Sequence, residues 1–268
     1  MRAPRSDTGL MVSGASTASL PCEPGTAPCG GAFANSALAS RKGFSLNERA
    51  TTNHIVIMKQ IAQTRLVPVA VIDRSEDALP LAGALREAGV NIIEVTFRTP
   101  AAPEAIRLIA ENHRDMLVGA GTLLDIYQVE EALRYGARFG VSPGLNESVV
   151  LKAREFDLPF IPGVMTPSDV EKGLALGCKL LKFFPAESAG GVKMLRAMAG
   201  PYTHTGVKFI PLGGIGAANA ATYLREPMVA AIGGSWFVDR KLIQARDWDK
   251  IRELTSEAVS IAAEATDS

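Results

Sequence analysis

The chain has 268 residues, of which 47% are hydrophobic and 21% charged, and its formal net charge at pH 7 is zero. A balanced charge without a long basic run argues against a nucleic-acid partner or an anionic membrane surface, and no apolar stretch approaches the length of a membrane span. Three cysteines are too few, and odd in number, for a disulfide scaffold, which predicts a reducing compartment, the cytoplasm.

The first 57 residues differ in composition from the rest of the chain. They are rich in Ala, Ser, Gly, Thr and Pro, and 1–53 shows neither a helical nor a strand period. We predict that 1–57 is a disordered extension and that one folded domain spans 58–268, with a short helix over 59–64. Two explanations of the extension stay open: a transit segment, because it is Ser-rich and poor in acidic residues, or a translation start at Met58.

From residue 66 onward, short β-branched runs alternate with amphipathic segments. Strands are predicted over 67–73, 91–97, 116–122, 138–143, 159–164, 179–185, 208–214 and 229–236. A helix is predicted after each strand, over 75–88, 99–112, 125–135, 146–156, 166–176, 191–198, 217–224 and 247–263. Ser75, Thr99, Asp125 and Asn146 are placed as helix N-caps.

Eight strand–helix units imply right-handed βαβ connections and a parallel sheet. In about 200 residues they fit a closed (β/α)8 TIM barrel better than the alternative, a doubly wound open sheet. We therefore predict a single-domain α/β barrel behind the N-terminal extension.

The most informative segment is the sixth predicted strand, with the sequence KLLKFFP over 179–185. Its apolar run predicts a strand covered on both faces, so that Lys182 would be enclosed. A buried ammonium group is costly unless it has a partner or loses its charge, and a neutral lysine amine is the nucleophile of Schiff-base chemistry. Lys179, at the start of this segment, and Glu187, two residues after its end, are expected to face solvent.

Strand alternation places Glu94, Thr96 and Arg98 on one face of the second predicted strand. Glu94 would then share the barrel interior with Lys182, as an acid/base beside a nucleophile. Arg98 at the rim suits a substrate carboxylate or phosphate. Structural roles are the alternatives: an ion-pair partner of Lys182 for Glu94, a surface ion pair for Arg98 and a helix cap for Thr122.

The seventh and eighth predicted strands each end in a glycine pair, Gly213-Gly214 in the seventh and Gly233-Gly234, followed by Ser235, in the eighth. Bare backbone N–H groups at these two positions of a barrel can approach a phosphate closely. The pattern predicts a phosphate site there.

Eight short motifs occur in order along the chain. They are VPV at 67–69, IEVTFRT at 93–99, VGAGT at 118–122, SPG at 142–144, IPG at 161–163, KFFPAE at 182–187, GGI at 213–215 and GGSW at 233–236. Together they resemble the 2-keto-3-deoxy-6-phosphogluconate (KDPG) aldolase family, also called 4-hydroxy-2-oxoglutarate aldolase. The resemblance covers roughly 58–243.

The resemblance implies a class I lyase that cleaves KDPG, a 2-oxo acid sugar phosphate, to pyruvate and glyceraldehyde 3-phosphate. It also implies a lysine Schiff base, no metal or other cofactor, and a homotrimer of barrels. The Schiff-base lysine corresponds to Lys182 and the general acid/base to Glu94. By the same resemblance, Arg98, Thr122 and Pro143 correspond to positions that hold the pyruvate end, and Phe184 corresponds to the residue beside the imine. Gly213, Gly214, Gly234 and Ser235 fall in the phosphate region.

Leu212 departs from this family pattern, in which many members carry threonine before the Gly-Gly pair. A leucine offers no hydroxyl, which leaves open the galactonate epimer and unphosphorylated 4-hydroxy-2-oxoglutarate as substrates. A phosphate-binding barrel without lyase activity, of isomerase type or a binder, also stays open, but it would have no need of the interior lysine and glutamate. A metal-dependent aldolase is disfavoured because His113 and His204 fall in αβ loops on the opposite face.

Overall fold

The computed structural model describes residues 46–266, with side chains from residue 54 onward, so the predicted disorder of 1–45 lies outside the described residues. The chain forms an α/β fold. Its strands are β1 Leu66–Ala70, β2 Ile92–Thr96, β3 Leu117–Gly121, β4 Phe139–Val141, β5 Phe160–Ile161, β6 Gly163–Val164, β7 Leu180–Phe183, β8 Lys208–Pro211 and β9 Ile232–Gly234. Its helices are α1 Leu46–Thr64, α2 Ala78–Glu87, α3 Ala102–Asn112, α4 Ile126–Arg134, α5 Glu147–Glu155, α6 Pro167–Ala175, α7 Gly191–Ala199, α8 Ala217–Leu224, α9 Arg240–Ala245 and α10 Trp248–Glu264.

The first helix is longer than predicted. It begins at Leu46 rather than near residue 59, so the predicted extension boundary at residue 57 falls inside α1. Ile57 and Ile61, four residues apart on one helix face, are fully buried in the core. Because most residues of 46–53 are polar, the sequence shows no apolar helical period there. The two isoleucines attach the helix to the core.

The strands are parallel and form a curled sheet. Six strands follow the order β5-β4-β3-β2-β1-β9, and three follow the order β6-β7-β8. The predicted fifth strand is interrupted at Pro162, which has no N–H to donate to a ladder. As a result β5 pairs with β4 while β6 pairs with β7, and the Pro162 carbonyl accepts from the Lys182 N–H at 2.9 Å.

A second contact joins the other ends of the two strand groups. Phe209 of β8 donates to the Met228 carbonyl at 2.8 Å and accepts from the Ala230 N–H at 3.0 Å, in a parallel bridge to Val229. Residues 228–230 lead directly into β9, so the last strand contacts β8 at its start and β1 along its length.

The helix starts were predicted with mixed success. Asp125 and Asn146 are confirmed as N-caps, accepting from the N–H groups of Gln128 and Ser148. The prediction that Ser75 and Thr99 are N-caps is wrong. Ser75 begins a 3-10 helix, and the Thr99 hydroxyl donates to the Ile72 carbonyl instead. A threonine hydroxyl satisfies a nearby loop carbonyl as readily as a helix end, and sequence alone does not separate the two.

None of the described helices is both long and apolar enough to cross a membrane.

Candidate active site

Lys182 lies in the interior of the curled sheet, as its sequence context predicts. It belongs to β7, between Gly163 of β6 and Ile210 of β8, and only 5% of its surface is exposed. Its Nζ lies 3.7 Å from Oε1 of Glu94, which is 3% exposed on β2. Two strands far apart in the sheet order therefore bring an amine and a carboxyl group together.

The surroundings of this pair are apolar. Val67, Phe139, Val141, Ile161 and Ile210 line the small cavity beside it. An environment of this kind has a low dielectric constant, in which an ionised group is expensive unless a neighbour compensates it. The electrostatic state of each member therefore depends on the other.

Glu94 is the more unusual of the two groups. Its Oε1 is buried and has no hydrogen-bond partner among the described residues, since 3.7 Å to Lys182 is too long for one. Burial raises the pKa of Glu94 above its ordinary value, and the charge of Lys182 offsets part of that rise. A buried carboxyl group whose Oε1 accepts no hydrogen bond from the described residues, and whose pKa is raised, is suited to accept and return a proton.

Gly121 makes the room that the Glu94 carboxyl group occupies. It pairs with Thr96 at the end of β3, and a Cβ at residue 121 would lie 2.1 Å from Oε1 of Glu94. No side chain fits at this position unless the carboxyl group moves.

Thr122 follows directly, with a φ of 60° in the left-handed region. This conformation is strained for a β-branched residue, and such strain is concentrated at functional sites. Thr122 is half-buried, and its hydroxyl makes no hydrogen bond within the described part of the chain. A threonine held in this way is available to a ligand rather than to the scaffold.

Arg98 does not continue the strand face on which it was predicted. β2 ends at Thr96, and the Arg98 N–H donates to the Thr96 carbonyl at 2.8 Å, which closes a tight turn. Arg98 is exposed in that turn, and its guanidinium forms no ion pair with the described residues. The Thr96 side chain is buried and donates to the Ala70 carbonyl, which is a structural role.

Phe184 and Pro143 lie near the lysine strand. The Phe184 ring centroid is 5.4 Å from Nζ of Lys182, within the range of a cation–π contact. The Pro143 carbonyl oxygen would be 2.0 Å from a Cβ at Gly163, so the turn after β4 is pressed against β6, the strand that pairs with Lys182.

The loop after β8 presents unpaired backbone N–H groups. Gly213 and Gly214 have φ values of 104° and 79°, which favour glycine. Their carbonyls are held by the scaffold: Gly213 accepts from the Glu187 N–H at 3.0 Å and Gly214 from Nδ2 of Asn219 at 3.1 Å. The N–H groups of Gly213, Gly214 and Ile215 have no acceptor within residues 46–266. Such consecutive free donors form a nest for an anion.

The second glycine pair has a packing role as well. A Cβ at Gly233 would lie 2.3 Å from Cδ1 of Leu212, and a Cβ at Gly234 would lie 2.1 Å from the Trp236 ring. Both glycines are buried, whereas Ser235 at the end of β9 is exposed. Close packing alone therefore explains these two glycines, and the pair is weaker support for a phosphate site than Gly213-Gly214.

Sequence reasoning missed one contact beside the site. Glu187 is exposed, as expected, but its carboxylate accepts a hydrogen bond from the hydroxyl of Tyr223, a residue 36 positions away that is 1% exposed. No spacing rule connects positions so far apart. Lys179 does face solvent, and its Nζ donates to the Thr205 carbonyl at 3.2 Å.

His113 and His204 lie where the sequence predicted. His113 caps the end of α3, and His204 lies in the 3-10 helix that precedes β8, so both belong to αβ connections. Across the described residues, no three His, Cys, Asp or Glu side chains are grouped so that they could hold a metal ion.

Comparisons with known proteins agree on one family. Residues 57–254 match the family model described as KDPG and KHG aldolase. The chain is 44% identical over 205 residues to the 2-dehydro-3-deoxy-phosphogluconate aldolase of Haemophilus influenzae, which covers 76% of this chain and 96% of that protein. It is 46% identical over 194 residues to the KHG/KDPG aldolase of Escherichia coli K12, covering 72% of this chain and 90% of that protein.

A solved structure is similarly close. The KDPG aldolase of Legionella pneumophila, with pyruvate captured at low pH as a covalent carbinolamine intermediate, is 41% identical with a TM-score of 0.72. The match covers 75% of this chain and 97% of that one. With the family model spanning most of the described residues, this chain belongs to the KDPG and KHG aldolase family, a family of carbon–carbon lyases.

Proposed function

We propose that this protein cleaves KDPG to pyruvate and glyceraldehyde 3-phosphate through a Schiff base on Lys182. The observation that carries the proposal is the buried pair, with Nζ of Lys182 3.7 Å from Oε1 of Glu94 in an apolar interior. A phosphate-binding barrel without lyase chemistry would gain nothing from enclosing these two groups, since burial of an ion pair is poor support for stability.

The proposed reaction begins when Nζ of Lys182 attacks the C2 carbonyl carbon, and loss of water gives a protonated imine. Glu94 takes the proton of the C4 hydroxyl as the C3–C4 bond breaks. The electron pair of that bond moves toward the imine, leaving an enamine and releasing the aldehyde. Glu94 then returns its proton to C3, and hydrolysis of the imine releases pyruvate and restores the lysine.

Four further residues are proposed to hold the pyruvate end. Arg98 has a guanidinium that forms no ion pair with the described residues and would bind the carboxylate. Thr122 has a strained backbone, and its hydroxyl, which makes no hydrogen bond to the described residues, would donate to the same carboxylate. Phe184 would pack beside the imine, and Pro143 would bound the pocket on the β6 side.

The phosphate is proposed to bind the N–H groups of Gly213 and Gly214, with Gly234 and Ser235 closing the same region. The unpaired donors of the β8 loop are the stronger support. Cleavage of 4-hydroxy-2-oxoglutarate (KHG) to pyruvate and glyoxylate is proposed as a second activity. Leu212 favours it, because a leucine beside the Lys182–Glu94 cavity offers no hydroxyl to a sugar chain.

We also propose that the curled sheet is a closed (β/α)8 barrel. The interruption at Pro162 divides one strand between β4 and β7, and the Phe209–Val229 bridge joins β8 to the start of the last strand. The homotrimer implied by the family resemblance and the cytoplasmic location implied by cysteine content remain predictions. Light scattering of the purified protein tests the first.

Borohydride trapping tests the Schiff base. Incubation with pyruvate and borohydride, followed by intact mass and peptide mapping, should give one reduced-pyruvate adduct, on Lys182. Lys179→Met is the matched control, because that lysine lies on the same segment but is exposed and should leave the adduct unchanged. An adduct on another lysine, or none, would overturn the mechanism.

Substrate choice needs a separate assay. Pyruvate release from KDPG, from its galactonate epimer and from 4-hydroxy-2-oxoglutarate should be compared at equal enzyme concentration. The proposal requires KDPG to have the highest kcat/KM of the three. A higher value for the epimer would transfer the assignment to 2-dehydro-3-deoxy-6-phosphogalactonate.

A further inference from the structure

A buried tyrosine and a carboxylate connect the two loops that frame the phosphate region. Tyr223 lies on α8, the helix after the Gly213-Gly214 loop, and Glu187 lies in the segment after the Lys182 strand. The Tyr223 hydroxyl donates to Oε1 of Glu187. Burial, together with the neighbouring carboxylate, raises the pKa of Tyr223, so the phenol stays protonated and remains a donor.

The glycine loop is packed against this pair. The Glu187 N–H donates to the Gly213 carbonyl at 3.0 Å, and the preceding Ala186 N–H donates to the Leu212 carbonyl at 2.8 Å. A Cβ at Gly214 would lie 2.7 Å from Cβ of Glu187. The N–H groups of residues 186 and 187 therefore set where the carbonyls of Leu212 and Gly213 point. The N–H groups of Gly213 and Gly214 share those two peptide planes, so their direction is set as well.

The charge of Glu187 has a second consequence. The N–H groups of Gly213, Gly214 and Ile215, which have no acceptor among the described residues, form a nest for an anion, and the Glu187 carboxylate is itself an anion beside that loop. If its side chain were unrestrained, it would repel a bound phosphate or take the N–H donors that the phosphate needs. The hydrogen bond from Tyr223 holds the carboxylate oxygen on the α8 side.

We propose that Glu187 and Tyr223 are positioning residues that keep the Gly213–Ile215 loop in the geometry for a phosphate group, and so favour phosphorylated over unphosphorylated substrates. The inference rests on the proposed function in one respect, that a phosphorylated substrate uses this loop. Neither side chain takes part in the carbon–carbon chemistry.

Tyr223→Phe removes only the hydroxyl and is the first variant to make. We expect KM for KDPG and the inhibition constant of inorganic phosphate to rise about tenfold, which corresponds to about 1.4 kcal/mol of binding. The kcat and KM for 4-hydroxy-2-oxoglutarate, which has no phosphate, should stay unchanged. Glu187→Ala removes the carboxylate and its repulsion together with the tether, so it should weaken phosphate binding less than Tyr223→Phe does. Glu187→Gln should retain much of the wild-type phosphate affinity because its amide oxygen still accepts. The double variant Tyr223→Phe/Glu187→Ala should bind phosphate no more weakly than Tyr223→Phe alone.

The chain contains a matched control. Tyr202 also donates to a glutamate, Glu171, at 2.9 Å, but this pair joins α6 to the 3-10 helix before β8, and among the described residues neither member hydrogen-bonds to the Gly213–Ile215 loop. Tyr202→Phe should leave the ratio of the two KM values unchanged. A Tyr223→Phe protein that loses both substrates equally, or one that is folded and retains wild-type phosphate inhibition, would overturn the proposal.

Failure of the proposed function can be recognised separately. If the wild-type protein gives neither a pyruvate adduct nor turnover of KDPG, the lyase assignment fails. Titration of the wild-type and Tyr223→Phe proteins with inorganic phosphate by calorimetry still tests the pair. Equal affinities in that titration would sink the positioning role, and a tenfold weaker variant would support it.

Discussion

Replacing Glu94 by Gln, or Lys182 by Met, should destabilise the fold far more than making both changes together. At 3.7 Å between Nζ and Oε1, the attraction is about 4.5 kcal/mol for an effective dielectric constant of about 20. Each single change leaves one buried group without its partner, whereas the double change leaves two uncharged side chains, which is often close to neutral. We expect a coupling free energy of about 3 kcal/mol in the double-mutant cycle.

The assay is denaturant unfolding of the four proteins at one protein concentration, with the free energy extrapolated to water. Lys182→Met also removes the charge that lowers the pKa of Glu94, so that pKa should rise further. A carboxyl group with a raised pKa in the folded state favours folding when protonated. The penalty of Lys182→Met should therefore be small below the ordinary carboxyl value of 4.5 and grow as pH rises through the raised pKa.

An exposed ion pair on α10 provides the comparison. Nζ of Lys250 lies only 2.8 Å from Oε1 of Glu253, but the two side chains are 42% and 69% exposed. Its coupling should be at most about 0.5 kcal/mol, because water screens it. If the buried pair couples no more strongly than this closer surface pair, the reasoning that burial decides the magnitude is refuted.

Three other predictions concern the same site. Gly121→Ala should displace the Glu94 carboxyl group and lower kcat about 100-fold or more, whereas Gly83→Ala, with nothing within 4 Å of the new Cβ on α2, should leave kcat unchanged. Thr122→Gly should relieve the left-handed strain, so that unfolding free energy stays within about 1 kcal/mol of wild type while kcat/KM falls about tenfold for the lost hydroxyl. The acid limb of the pH profile of kcat/KM should lie above pH 4.5, because Glu94 must be ionised to act as a base and burial raises its pKa. If the Glu94→Gln protein shows the same acid limb, the limb reports the titration of another group.

Several elements of the fold follow from local patterns. The eight predicted strands each coincide with an observed strand or strand pair, because β-branched runs bounded by glycine and proline have few other conformations available. The Asp125 and Asn146 caps were also predictable, since a cap bonds to its own helix. The role of Thr99 was not predictable, because its hydroxyl donates to the Ile72 carbonyl, 27 residues away.

The candidate site likewise has features that local sequence patterns predict and features that they do not. Strand alternation and the family motifs predicted that Lys182 and Glu94 share an interior, and both are buried. Their 3.7 Å separation depends on the curl of the sheet and on the space that Gly121 leaves. Arg98 was misplaced because the length of β2 is set by its pairing with β3, which ends at Gly121.

The sequence by itself determined the order of strands and helices, the burial of the Lys182 strand and the family, because these depend on periodicity and motifs within a few residues. Only the tertiary structure decided which groups meet and which do not. Within residues 46–266, it left Oε1 of Glu94 and the N–H groups of the β8 loop without a hydrogen-bond partner, and it brought Tyr223 into contact with Glu187. The physical reason is that distance, desolvation and hydrogen-bond competition between segments tens of residues apart depend on how the sheet curls and its helices pack, and no local rule contains that information.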